Sequence, residues 1–60
     1  MKIREFKNGA CTIFERMPVS GMYIVICRGP NGQILDRMRC DSYRMACGYL
    51  KAFNRLAKGA

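Results

Sequence analysis

Apolar and polar positions along the chain change their period once, near residue 42, and that change separates a run of strands from a helix. Tyr23-Ile24-Val25-Ile26-Cys27 is an unbroken apolar run of strand length. It lacks polar alternation, as expected of a central strand covered on both faces or on part of the second. Gln33–Cys40 alternates instead. Ile34, Met38 and Cys40 fall on one face, with Leu35, Arg37 and Arg39 on the other, so the two arginines point together away from a core. Asp36 interrupts the apolar face and marks this segment as an edge strand.

From Tyr43 to about Lys58 the period becomes 3.6. Ala46, Leu50, Phe53 and Ala57 form a stripe flanked by Tyr43, Tyr49 and Leu56, and Arg44, Gly48, Lys51, Arg55 and Lys58 take the other side. Either Asp41 or Ser42 is suited to cap the first turn, and Gly59 reads as the terminator just past the end. Gly48 costs about 1 kcal/mol relative to Ala inside a helix, which predicts close approach of a neighbour there.

Turn residues cut the first forty positions into pieces. Asn8-Gly9 predicts a two-residue type I′ hairpin between Lys2–Lys7 and Ala10–Met17. Pro18-Val19-Ser20-Gly21 ends the second piece, Met22–Arg28 is the third, and Gly29-Pro30-Asn31-Gly32 leads into the fourth. The expected fold class is α+β: a three- or four-stranded antiparallel β-meander with one C-terminal α-helix packed on one face, in a single domain over residues 1–60. The other sheet face, with Arg37, Arg39 and Tyr23, is then free for a ligand.

Charge sharpens that picture. Eleven Lys and Arg stand against four carboxylates, a net charge of +7, and no acid follows Asp41. Such an imbalance draws polyanions, of which nucleic acid is the commonest. Sixty residues lie near the lower limit for folding alone. A chain of this size hides only roughly 60% of its unfolded surface, so a staple or a homodimer comes into consideration. Cys11, Cys27, Cys40 and Cys47 are the available staple. With no apolar leader after Met1 and no membrane-length apolar run, a reducing cytoplasm is the expected setting, where cysteine acts as a small buried hydrophobe.

Chemistry is bounded by what is missing from the sequence. There is no histidine, and four scattered carboxylates form no acid/base pair at matched spacing. No phosphate-binding glycine loop and no paired-cysteine knuckle are present. The expectation is a protein that is not an enzyme and takes no cofactor and no metal. Paired arginines on a sheet fit the major groove, where a guanidinium bonds guanine O6 and N7 together. Arg37 and Arg39 are the candidate base contacts, with Arg28, Lys51, Arg55 and Lys58 as phosphate contacts. Tyr23 is a candidate stacking residue.

From Cys11 onward the layout resembles the small sheet-plus-helix DNA-binding domains of phage-type tyrosine integrases, which are similar in form to plant AP2 domains. The residues that carry this are Tyr23-Ile24-Val25-Ile26-Cys27-Arg28, the Gly29–Gly32 turn and Asp36-Arg37-Met38-Arg39-Cys40-Asp41-Ser42, followed by Ala46 and Tyr49-Leu50 on the helix. The resemblance implies a sheet that reads duplex DNA with Arg28, Arg37 and Arg39. A protein of this size and shape also looks like phage or mobile-element accessory proteins, anti-CRISPR proteins among them. That likeness implies the alternative of an inhibitor gripping a host protein complex, with Arg and Tyr as anchors. Neither reading involves a membrane.

Overall fold

The computed structural model describes all residues 1–60. Four strands form one antiparallel sheet in the order β1-β2-β3-β4: β1 Lys2–Glu5, β2 Cys11–Arg16, β3 Tyr23–Arg28 and β4 Ile34–Cys40. A single helix, α1 Tyr43–Gly59, packs against it. The meander and its C-terminal helix are those expected from the pattern, with four strands rather than three. No helix is long and apolar enough to cross a membrane.

Two of the three hairpins close in the same way. Phe6 N donates to Ala10 O at 2.9 Å and Gly9 N to Phe6 O at 3.0 Å, and Gly29 N donates to Gln33 O at 2.7 Å and Gly32 N to Gly29 O at 3.0 Å. Each is a three-residue loop whose last residue is a left-handed glycine, Gly9 at φ 90° and Gly32 at φ 82°. The Asn8-Gly9 turn is therefore not the expected type I′, which needs positive φ at both positions. Asn8 keeps a negative φ because its side chain is committed elsewhere: Oδ1 accepts from Ala10 N at 2.9 Å, and Nδ2 reaches the helix end. Lys7 falls within this loop and Phe6 closes its base against Ala10, so β1 ends at Glu5.

Pairing then assigns the faces. Val25 stands opposite Phe14 and Met38, Cys27 opposite Thr12, and Tyr23 opposite Cys40. These residues face α1, which buries Ala46, Phe53 and Ala57 over them. Phe53, 4% exposed, is the largest buried side chain of the core. Full burial of such a side chain stabilises by about 1.5–3 kcal/mol, a large share of the ~3–5 kcal/mol typical of so small a core. Ser42 is the cap, its Oγ accepting from Met45 N at 3.2 Å. Tyr43, though exposed, joins Phe14 and Tyr23 in a triangle with ring centroids 5.7–5.8 Å apart, holding the first helical turn onto β2 and β3.

Five local expectations are corrected. Tyr23 lies on the helix side of the sheet, because its partner Cys40 is buried there. Ile34 is 54% exposed and outside the core, since a bulge beside Cys27 and Arg28 shifts the register and sets it opposite Arg28. Gly59 has no positive φ and ends the helix without a left-handed turn. At Gly48 nothing lies within 4 Å of where a Cβ would stand, so no neighbour requires a glycine. Leu56, expected beside the core stripe, is also exposed.

Cys27 and Cys40 are buried, and Cys11 and Cys47 are half-buried; all four are free thiols. Burial pushes both buried thiols above the ordinary range, helped at Cys27 by Cys11 and Asp36 and at Cys40 by Asp41.

Candidate nucleic-acid interface

Antiparallel partners point to one side of a sheet, so the register decides which residues share the face away from α1. Ile3, Ile13, Ile26 and Arg37 form one cross-strand row, Glu15, Ile24 and Arg39 a second, and Glu5, Cys11 and Arg28 a third. Arg28, Arg37 and Arg39 thus lie together on the open face, all exposed, and concentrated on β3 and β4. Arg37 and Arg39 also line a shallow hollow with Ile24 and Met38. The two carboxylates of this face, Glu5 and Glu15, lie on the β1–β2 half.

The other predicted contacts do not converge on it. Lys51, Arg55 and Lys58 are exposed on α1, on the opposite side of the sheet. Tyr23 lies on the helix side of the sheet, opposite Cys40, and so cannot stack on a ligand at the arginine face. The seven residues singled out from sequence therefore divide into a sheet-face set of three, a helix set of three, and one packing residue.

A second concentration of positive charge was not assembled in advance. The helix contacts β2, β3 and β4 but not β1, which leaves a groove between β1 and α1. Lys2, Arg4, Thr12, Phe14, Leu50 and Asn54 line it. Lys2 and Arg4 stand opposite Phe14 and Thr12 and so face the helix side. Alternation along Lys2-Ile3-Arg4-Glu5 was the available signal, but the uncovered strand could not be known from it. No side-chain hydrogen bond in the structure uses a guanidinium or ammonium group, and the Arg4 guanidinium stands over the Phe6 ring at 5.1 Å.

Compared with known proteins, the chain matches no family model, no curated protein and no solved structure. Of the likeness to integrase and AP2-type domains, what stands is a four-stranded antiparallel sheet with a C-terminal helix; no family is identified.

Proposed function

We propose that this protein is a non-enzymatic nucleic-acid-binding module that reads duplex DNA with the β3–β4 half of its open sheet face. The observation that carries the reading is the common placement of Arg28, Arg37 and Arg39 on the one sheet face the helix leaves uncovered. Adjacent strands are roughly 4.8 Å apart, so a two-stranded edge fits a major groove about 12 Å wide. β4 is an outer strand and can lead that entry. Arg37 and Arg39 then serve as base contacts, with Ile24 and Ile26 beside them as apolar surface for thymine methyl groups. Arg28, at the far end of β3, contacts phosphate or base. Glu5 and Glu15 stay outside the groove on the β1–β2 half, away from the phosphates.

The test is fluorescence anisotropy of labelled duplex DNA, single-stranded DNA and RNA, titrated at several salt concentrations. Duplex affinity is expected to fall steeply with salt through counterion release. The Arg37→Glu/Arg39→Glu variant is expected to lose duplex binding by about tenfold or more while keeping its helical circular dichroism. A folded double variant that binds duplex like the parent would overturn the reading.

A second reading rests on Ile3, Ile13 and the two β3 isoleucines, which cross the centre of the same face. An apolar centre with a charged rim is the anatomy of a protein interface. It fits the alternative of an accessory protein that grips and inhibits a host protein complex, or a homodimer. Affinity for a partner that barely changes with salt, together with absent duplex binding, would favour it.

A further inference from the structure

The groove between β1 and α1 has an organised polar element as well as charge. Thr12 is 1% exposed, and its hydroxyl donates to Asn54 Oδ1 at 2.8 Å. Oδ1 accepts that bond, and Nδ2 makes no hydrogen bond to the protein. Asn54 lines the groove, so it offers donors there. Phe14 and Leu50 supply an apolar surface beside it, and Lys2 and Arg4 supply the charge, with no carboxylate among the lining residues. Helical spacing sets Lys51 three residues before Asn54 and Lys58 four residues after, on the same flank. A second hollow shares Arg4 and is lined by Lys7 and Lys58 together with one carboxylate, Glu5.

We propose that this groove binds a single-stranded segment of nucleic acid a few nucleotides long, at a site separate from the arginine face on the other side of the sheet. Phosphates lie along Lys2, Arg4 and Lys58. A base rests against Phe14 and Leu50 and accepts a hydrogen bond from Asn54 Nδ2. Aromatic surface beside a cationic track is how single strands are held with little sequence preference. A duplex keeps its bases stacked inside and would leave both the apolar surface and the amide donors unused. The inference does not depend on duplex reading by Arg37 and Arg39, because it uses other residues on the opposite face.

The experiment is anisotropy of a fluorescein-labelled oligothymidine at low salt, with the parent and three variants checked for folding by circular dichroism. Lys2→Glu/Arg4→Glu and, separately, Asn54→Asp are expected to weaken oligothymidine binding by about tenfold or more. Arg37→Glu/Arg39→Glu is expected to retain most of it, and saturating unlabelled duplex to displace little of the bound oligothymidine. Because Asn54→Asp alters a partner of Thr12, the Asn54 side-chain amide is also followed by NMR in the parent. Its resonances are expected to shift with oligothymidine. Unchanged affinity in the folded groove variants, or an amide that does not respond, would overturn the proposal. So would equal competition by thymidine monophosphate or by a poly-glutamate peptide, which would make the groove a general anion site. Duplex failure with intact oligothymidine binding would remove only the sheet-face reading.

Discussion

The side-chain amide of Asn8 donates to the carbonyl of Ala57 at 2.9 Å, joining the first hairpin loop to the end of the helix across 49 residues. The same nitrogen donates to Ala60 O at 3.0 Å, while Oδ1 accepts from Ala10 N. The last carbonyls of a helix have no partner within it. Here a turn residue from the other end of the chain adds a donor to Ala57 O, which also accepts from Ala60 N at 3.3 Å.

Asn8→Ala removes these three bonds together. Loss of about 1–2 kcal/mol is expected, read as a lower midpoint in urea unfolding. Asn8→Asp retains an acceptor for Ala10 N but loses both donors and sets a negative charge at the negative end of the helix dipole. It is expected to be no more stable than Asn8→Ala. An aspartate variant as stable as the parent would show that the link to Ala57 contributes nothing.

Gly48 lies within a helix, is exposed, and has open space where a Cβ would go. Gly48→Ala is therefore expected to raise stability by about 0.5–1 kcal/mol, through the backbone entropy that glycine loses on folding. Thermal denaturation of the two proteins side by side measures it. A lower midpoint in the variant would mean the helix needs glycine there.

Cys27 and Cys40 have thiols held above their ordinary range, chiefly by burial. Below the thiol range of an unfolded chain, about 8.5, both states keep the proton and these groups make stability independent of pH. Above it the unfolded chain releases protons that the folded core retains, so the unfolding free energy falls as pH rises. Urea unfolding from pH 7 to 10 is expected to show a decline beginning above about pH 8.5. In Cys27→Ala/Cys40→Ala that decline is expected to be shallower, whatever the variant loses overall. Identical slopes in the two proteins would assign it to other groups.

The strands and the helix were legible because their signals are local. Gly29-Pro30-Asn31-Gly32 can hardly be anything but a turn, and Ser42 followed by an amphipathic period marks a helix start wherever the chain goes next. Tyr23 was misplaced for an equally definite reason. In an unbroken apolar run, alternation has no visible phase, and either set of side chains is apolar enough for the core. Cys40, opposite Tyr23, breaks the tie, and that pairing depends on a register shift at the β3–β4 bulge. Asn8 and Asn54 carry no local signature of their roles, since their partners lie 49 and 42 residues away.

What the amino-acid order alone determined was the element order, an antiparallel meander of three or four strands, the amphipathic helix and the +7 charge, all properties of spacing and composition. Only the tertiary structure decided where that charge acts. The helix has one apolar stripe and cannot cover four strands, so it settles on β2, β3 and β4 and leaves β1 bare. That single choice makes the Lys2 and Arg4 groove, and pairing of β4 with β3 gathers Arg28, Arg37 and Arg39 on the far side. Two basic surfaces result because a sheet one layer thick has two faces, and the helix covers only part of one.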